Sequence, residues 1–326
     1  MLSTLLSMMS DGQFHSGEKL GESLGVSRAA VWKALSRLEK EGFPIQRVRG
    51  KGYRIPKGAV LFDLDAIQQH LPTDIATYWQ WHLYPSIDST NAEAQRLMAS
   101  AGGHQPLVCI AEQQSAGRGR RGRTWVSPYG QNIYMTLIEP FSNGAQGLEG
   151  LSLIVGIVLA DTLESCGYPQ VRLKWPNDLL LENRKLAGIL IEIAGDLTSD
   201  CVAVIGVGIN VLMRAEAGAQ IDQAWTSLLQ APGQGELDRN KLVATFAQKL
   251  LLAMREFRRS GFQIFIPEWE KRDAWLGQSV SVVSGANVLK GVHRGISERG
   301  ALRLQTAEGE MLVSGGEVSL RVNNAP

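Results

Sequence analysis

Ser27-Arg28-Ala29-Ala30-Val31-Trp32-Lys33-Ala34-Leu35-Ser36-Arg37-Leu38 holds the clearest local pattern in the chain. Ser27 is a good helix N-cap, because its hydroxyl can accept from a free amide one turn on. Val31, Leu35 and Leu38 follow on one face, and Gly42 ends the run, so the spacing predicts a helix over Arg28–Glu41. Upstream, Ser16 precedes Gly17–Leu24, where Leu20 and Leu24 lie one turn apart and Gly25 supplies a C-terminal glycine. Leu2, Leu5 and Leu6 fall at helical spacing before that. Downstream, Val48, Tyr53 and Ile55 flank the turn Gly50-Lys51-Gly52, which reads as a β-hairpin over Ile45–Ile55. Helix, short turn, helix and hairpin form the pattern of a winged helix-turn-helix, whose second helix enters the major groove. Ser27, Arg28, Ala29 and Trp32 would then begin the recognition helix, with Lys33 and Arg37 further along it. Arg47, Arg49 and Lys51 in the wing are natural phosphate contacts.

Charge supports this assignment. Residues 1–57 carry ten Lys/Arg against five Asp/Glu, a surplus of +5, whereas the whole chain is only +1 and the remainder is therefore slightly acidic. Winged helices also bind proteins, but a basic head on an acidic body favours a polyanion.

A chain of 326 residues, 44% hydrophobic and 20% charged, suits two or three folded domains and no disordered excess. The patterns divide it at 1–60, 61–272 and 273–326. Cys109, Cys166 and Cys201 lack any paired spacing, which fits a reducing compartment. His15, His70, His82, His104 and His293 are scattered, so no metal cluster is visible and no metal is expected to be held by protein groups alone. Met1–Ser10 lacks the features of a signal peptide, and Leu151–Ala160 is too short to span a bilayer; a cytoplasmic protein is expected.

The middle region alternates strand candidates (Leu107–Glu112, Ile133–Leu137, Val171–Trp175, Leu179–Leu181, Gly188–Ile193, Val202–Val207) with helix candidates (Thr90–Ala99, Leu151–Ser165, Arg239–Ser260). This predicts one α+β domain. The last region has short runs at Ser279–Val283, Gly291–Ile296, Ala301–Gln305 and Val318–Val322, punctuated by glycine, which predicts a small β-barrel.

Four constellations carry chemistry. Gly117-Arg118-Gly119-Arg120-Arg121-Gly122-Arg123-Thr124-Trp125 sets four permanent cations among three glycines. Arginine matches phosphate or carboxylate oxygens, and glycine lets backbone approach them. Alone, the loop reads equally as a solvated or RNA-gripping segment. Its self-repulsion predicts mobility without a ligand. Lys174-Trp175-Pro176-Asn177-Asp178 places Asn177 and Asp178 where a strand ends, since Pro176 cannot join a central ladder. Lys185 then opens an apolar strand, either aiming a charge into a pocket or decorating an edge. Val204–Asn210 holds Gly206 and Gly208 but no third glycine before a helix, so a dinucleotide site is rejected. Those glycines allow close approach of a ligand or mark a bulge. In Asp88-Ser89-Thr90-Asn91-Ala92-Glu93, Thr90 and Glu93 read as a capping box. The same helix end can present amides and hydroxyls to a polar ligand.

Taken together, these elements resemble the bacterial bifunctional biotin–protein ligases that also repress biotin synthesis. The resemblance runs over nearly the whole chain: the winged helix, Ser89-Thr90-Asn91, Gln113-Gln114-Ser115-Ala116, Gly117–Trp125, Lys174–Asp178, Arg184–Gly188, Gly206–Asn210 and Gly315-Gly316-Glu317-Val318-Ser319-Leu320. Ser115 departs from the second polar amide usual there. The resemblance implies a central domain like that of class II tRNA synthetases, a mixed sheet with helices on one side, and an SH3-like C-terminal domain. It implies ATP with Mg2+, biotin as substrate, biotinyl-5′-AMP as intermediate and corepressor, and biotin carboxyl carrier protein, operator DNA and a second copy of the chain as partners.

It also implies site roles. Arg120, Lys185 and Asp178 would be catalytic, Asp178 either assisting amine attack or lying near magnesium. Ser89, Thr90, Asn91, Gln114, Arg118, Gly119, Arg120, Lys185, Gly188 and Gly206 would bind biotin. Arg118, Arg120, Arg121, Arg123, Trp125, Asn177, Asp178, Lys185, Asn210 and Trp225 would meet ATP or the adenylate. The weakly patterned segment Leu212–Gly235 would be a second loop over the adenine. A sensor without turnover and a lipoate or octanoate ligase are the competing readings. Retention of both Arg120 and Lys185 argues against the first, and the attached winged helix against the second.

Overall fold

The computed structural model describes the chain apart from residues 41, 102–104, 142–143, 145–147, 197–199, 232–236, 286, 316–318 and 323–326. The N-terminal unit comprises α1 (Leu2–Met8), α2 (Gly17–Leu24), α3 (Arg28–Lys40) and an antiparallel hairpin of β1 (Gln46–Val48) and β2 (Gly52–Arg54). The expected winged helix-turn-helix is present, and the expected last helical residue, Glu41, lies outside the described residues. Ser16 caps α2 by accepting from the Lys19 amide at 3.2 Å, and Gly25 ends it in the left-handed conformation at φ 66°. Leu5, Leu6, Leu20, Val31, Leu35 and Leu38 form the core, while Trp32 on the opposite face of α3 is 53% exposed.

The central unit contains α4 (Leu64–Gln69), α5 (Thr73–Ala76), β3 (Gln80–Tyr84), α6 (Thr90–Ala101), β4 (Leu107–Ala111), β5 (Ile133–Phe141), α7 (Leu151–Ser165), β6 (Arg172–Lys174), β7 (Asp178–Leu181), β8 (Arg184–Gly195), β9 (Cys201–Ile209), α8 (Arg239–Ser260) and α9 (Ile266–Arg272). Seven strands form one mixed sheet in the order β3-β4-β5-β9-β8-β7-β6, in which only β3 and β4 run parallel. The period of two decides how it is covered. Val108, Ile110, Leu137, Ala203 and Ile205 point to the main core with α7 and α8. Leu107, Cys109, Ile138, Val202 and Val204 point the other way and pack on Ala94 of α6. Helices therefore lie on both faces rather than one, because both faces carry apolar side chains.

The C-terminal unit is a five-stranded antiparallel sheet, order β13-β12-β11-β10-β14, built from β10 (Ser279–Ser284), β11 (Asn287–Ile296), β12 (Leu302–Thr306), β13 (Gly309–Val313) and β14 (Ser319–Val322). β13 was not expected from the sequence. Its Met311 and Leu312 are exposed, so it lacks the alternation of a core strand. Of the motif Gly315–Leu320, Gly316, Glu317 and Val318 lie outside the described residues, including the expected start of the last strand.

Two joints hold the head against the central unit. The Phe43 ring sits on Gly130, where an added Cβ would lie 2.4 Å from it, and the Gln131 side chain donates to the Gly42 carbonyl. Against the linker, Arg239 at the start of α8 is fully buried. It pairs with Glu112 at 2.8 Å, donates to the carbonyls of Asn132 and Val60 at 2.9 and 2.6 Å, and lies 4.2 Å from the centroid of the Phe62 ring. The C-terminal unit is anchored by Trp175 Nε1 donating to the Gly300 carbonyl at 3.0 Å and by the buried His293–Asp273 pair at 2.6 Å.

Candidate active site

The site lies on the α6 face of the sheet, where glycine removes the side chains that would fill it. Gly188 and Gly208 are register partners on β8 and β9, and Gly206 pairs with Leu190. A Cβ on Gly206 would fall 2.2 Å from Asn91 Oδ1, and one on Gly208 would fall 2.5 Å from the Trp125 indole. Both are closer than real Cβ contacts, so these glycines admit neighbours and do not mark bulges. The Trp125 indole lies over this floor, and its Nε1 is buried with no hydrogen-bond partner among the described residues.

The N-terminus of α6 supplies one wall. Glu93 N–H donates to the Ser89 carbonyl at 2.9 Å, so Ser89 is the cap residue. The capping box of Thr90 with Glu93 is not formed. The Thr90 amide and hydroxyl both donate to Gln114 Oε1, at 2.9 and 3.1 Å, and Glu93 instead accepts from Tyr84 and Arg96. Gln114 passes the chain on to Ser127 at 3.0 Å. The Thr136 hydroxyl donates to Asn91 Oδ1 at 2.6 Å, which leaves Asn91 Nδ2 to donate to Glu192 at 2.7 Å. Asp88, beside the cap, is held down to about 2 by its hydrogen bonds with Arg96.

The glycine–arginine stretch forms a small hairpin. Trp125 N–H donates to the Gly117 carbonyl at 2.9 Å and Gly119 N–H to the Arg123 carbonyl at 2.7 Å. Arg121 and Gly122 turn the tip at φ 59° and 69°, and only the second is a residue that favours this region. Its arginines go to different places. Arg118 pairs with Glu192 at 2.9 Å. Arg120 is drawn inward, donating to Asn177 Oδ1 at 2.7 Å and to the Gly315 carbonyl of the C-terminal unit. Burial pushes the Arg120 guanidinium below its ordinary range.

Opposite Arg120 stands a second charge cluster. β6 ends at Lys174 and β7 begins at Asp178, with a cis Trp175–Pro176 bond between them, so Asn177 and Asp178 sit at the strand end expected of them. Asp178 lies 2.6 Å from Lys185 Nζ and 3.4 Å from Lys174 Nζ. Burial alone would raise Asp178, but the two ammonium groups outweigh it and hold the carboxyl below the usual range. Burial pushes Lys174 down, partly offset by Asp178. Lys185 also lies 5.5 Å from the centroid of the Trp125 ring.

Two cavities meet here. A narrow cleft is lined by Ser89, Thr90, Asn91, Gln114, Arg118, Gly119, Arg120, Lys185, Gly188 and Gly206, the whole set that sequence reasoning assigned to biotin, together with Trp125 and Gly208. A wider cavity of about 860 Å³ is lined by Arg120, Arg121, Arg123, Trp125, Asn177, Asp178, Lys185, Asn210 and Trp225, the set assigned to ATP, apart from Arg118, which lines the cleft alone. Gly119, Arg120, Trp125, Asn177 and Lys185 border both. Asn210 spends its amide on the Thr226 carbonyl at 3.0 Å and so secures the second loop, which also pairs with Lys185 through Ala224 and Thr226. Residues 232–235 of that expected loop lie outside the described residues.

Sequence reasoning gave no role to Lys174, Thr136, Ser127, Glu192, Leu320 or Arg321. The last two line the wider cavity from the C-terminal unit, which only tertiary structure could reveal. Glu192 had a readable signal, since it continues the face of Gly188 and Leu190 at a period of two. On the head, Arg28, Lys33, Arg49 and Lys51 are exposed, whereas Arg47 is tied back to α3 by Glu39 at 2.7 Å and Ser36 at 2.9 Å.

Comparison with known proteins agrees with each unit. Residues 83–210 match the biotin/lipoate A/B protein ligase family, residues 2–54 an HTH domain and residues 275–321 the biotin protein ligase C-terminal domain. The bifunctional ligase/repressor BirA of Salmonella typhimurium is 41% identical over 98% of this chain and 97% of its own. A biotin–[acetyl-CoA-carboxylase] ligase of Paracoccus denitrificans is 34% identical over 71% of this chain and 96% of its own. The biotin protein ligase of Aquifex aeolicus, solved with biotin and ATP, superposes with a TM-score of 0.64 at 28% identity, covering 75% of this chain and 99% of that one. With its winged head, glycine-floored catalytic sheet and C-terminal β-domain, the chain belongs to the family of bifunctional biotin ligase/repressors.

Proposed function

We propose that the protein joins biotin to ATP and passes the biotinyl group to a lysine of biotin carboxyl carrier protein. The observation that carries this reading is the junction at Arg120, Asn177 and Lys185, where a narrow polar cleft opens into a wide cationic cavity. Biotin lies in the cleft with its ureido ring toward Thr90, Asn91 and Gln114 and its carboxylate toward the junction. ATP lies in the wider cavity. A carboxylate oxygen attacks the α-phosphorus, a P–O bond forms and pyrophosphate leaves. Two anions must approach for this, and Arg120 and Lys185 offset the charge that gathers on the transferring group. The acceptor amine then attacks the acyl carbon and AMP departs. The Asp178 carboxylate, already facing two ammonium groups, does not suit a divalent cation. Magnesium arrives with ATP as part of the substrate, and the role of Asp178 is to hold Lys185 and Lys174 in place.

The basic head represses transcription of biotin-synthesis genes, with biotinyl-5′-AMP as corepressor. Arg28, Trp32, Lys33, Arg49 and Lys51 face the DNA. Closure of both loops over the adenylate favours a homodimer, which a two-fold operator requires. The outer edge of β8 supports that assembly. β7 covers it only as far as Gly188, so the edge from Leu190 to Gly195 has no strand partner among the described residues.

Purified protein given biotin, MgATP and an acceptor domain should release pyrophosphate and label one lysine, and the same mixture should then retard operator DNA. Pyrophosphate release without acceptor labelling, or labelling by lipoate in preference to biotin, would overturn the reading.

A further inference from the structure

Glu192 stands just beyond the cleft, and the ligase reading gives it no role. Its Oε2 accepts from Asn91 Nδ2 at 2.7 Å and from Arg118 Nη2 at 2.9 Å. One carboxylate oxygen therefore ties three separate elements: the start of α6, the strand β8 and the glycine–arginine hairpin. The strand geometry makes this possible. Gly188, Leu190 and Glu192 project from one face, the first two line the cleft, and from Gly188 to Glu192 the strand advances about 13 Å. Glu192 thus lies at the far end of the cleft from Lys185.

Two consequences follow from the chemistry. The first is geometric. Asn91 fills the space left by Gly206, and its amide has one workable orientation, because Thr136 donates to its oxygen and Glu192 accepts from its nitrogen. Without Glu192, Asn91 is free to flip, and the cleft loses a fixed polar wall. Arg118 meanwhile anchors one end of the hairpin at Glu192, while the other end is anchored by Ser127 accepting from Gln114 and donating to the Trp125 carbonyl. The second is electrostatic. At one end of the cleft the Glu192 carboxylate is neutralised by Arg118, whereas at the other Arg120, Lys185 and Lys174 outnumber the single carboxylate of Asp178. A substrate with a neutral ring and a single carboxylate is favoured in one direction, since only the junction offers that carboxylate a net positive charge.

We infer that Glu192 is a positioning residue for the adenylation step, fixing Asn91 and latching the hairpin through Arg118 so that the carboxylate of biotin faces the junction. This rests on the reading that the cleft holds biotin. The test uses the full-length chain carrying Glu192→Ala, Glu192→Gln, Arg118→Ala and the double substitution Arg118→Ala with Glu192→Ala. KM for biotin and kcat come from pyrophosphate release, and the rate of adenylate loss is measured separately. Glu192→Ala should raise KM and speed adenylate loss about tenfold each while kcat stays within about twofold. Glu192→Gln keeps an acceptor for Asn91 without the charge and should fall between. Adding Arg118→Ala to Glu192→Ala should change adenylate loss little further. A KM and release rate within twofold of the parent for both Glu192 variants, or effects of the two alanine substitutions that multiply, would overturn the assignment. Should the alanine variant not fold, the near-isosteric glutamine variant decides on the same readouts. Thr90→Val separates the two levels: raised KM there with an unchanged Glu192→Ala removes only the role of Glu192, whereas an unchanged Thr90→Val takes away the biotin cleft itself.

Discussion

The carboxylate of Asp178 stands 2.6 Å from the ammonium of Lys185, and both are largely buried beside Lys174. This makes Asp178 a counter-charge to two lysines at the junction. Asp178→Asn removes it. The pKa of Lys174, already lowered by burial, should fall further, because an opposite charge that favoured its protonated form is gone. The alkaline limb of the adenylation rate should therefore move to lower pH than in the parent. A pH profile of pyrophosphate release from pH 6 to 10 checks this, and an unmoved limb counts against it. The depressed pKa of Asp178 itself means that its contribution is present above the ordinary aspartate range and is lost only as pH falls through its lower folded value.

Arg120 reaches across the junction to Asn177 and to the Gly315 carbonyl. Replacing it with alanine should slow adenylate formation on the order of 100-fold, the scale for losing one preorganised donor to a developing charge. Single-turnover pyrophosphate release measures this step apart from transfer to the acceptor. Transfer from adenylate supplied ready-made should suffer less.

The glycine floor gives a steric prediction. Gly206→Ala puts a methyl group 2.2 Å from Asn91 Oδ1, so Asn91 must move. Biotin binding should weaken at least tenfold, and stability should fall by about 1–3 kcal/mol, the usual range for overpacking. Calorimetric titration with biotin and a denaturant melt report the two effects separately.

Arg239 and Glu112 form a buried pair at 2.8 Å in the joint beneath the head. Arg239→Ala leaves a buried carboxylate without its partner and should cost about 3–5 kcal/mol in chemical unfolding. Combining Arg239→Met with Glu112→Leu should recover much of that loss, because no uncompensated charge remains.

On the head, Arg49 and Lys33 are exposed and project from the wing and the recognition helix. Each substitution to alanine should reduce the slope of log affinity for operator DNA against log salt by about 1. Mobility shifts over a salt series supply the slope. Arg47→Ala should change it less, since its guanidinium is already paired with Glu39.

The head was legible because its signals are local. Ser16, Gly25 and the Val31–Leu35–Leu38 stripe act within a few residues, and α2 and the start of α3 fall where those signals put them. α7 and α8 were legible for the same reason and span Leu151–Ser165 and Arg239–Ser260 as expected. β3 and β13 were not, because half-exposed strands carry no strong alternation. The residues lining the two cavities followed from motif resemblance, since nothing in the spacing of Ser89, Arg120 and Lys185 reveals that they converge. The contacts sequence reasoning missed are tertiary ones. Glu112 with Arg239, Asn91 with Glu192 and Arg120 with Gly315 each join residues more than 100 positions apart. The Thr90 capping box failed for a related reason: a distant partner, Gln114, claimed the side chain that a local motif would have used.

The floor built of Gly188, Gly206 and Gly208 also bears on how substrate range can change. A surface already reduced to hydrogen atoms cannot be lowered by any replacement, so every substitution there raises it. Point mutation at these three glycines can narrow the set of accepted acids but cannot widen it. Room for a bulkier acyl group has to come from Leu190, from the hairpin and from the start of α6, whose side chains can still be shortened, which makes them the place where altered specificity would arise by selection or by engineering.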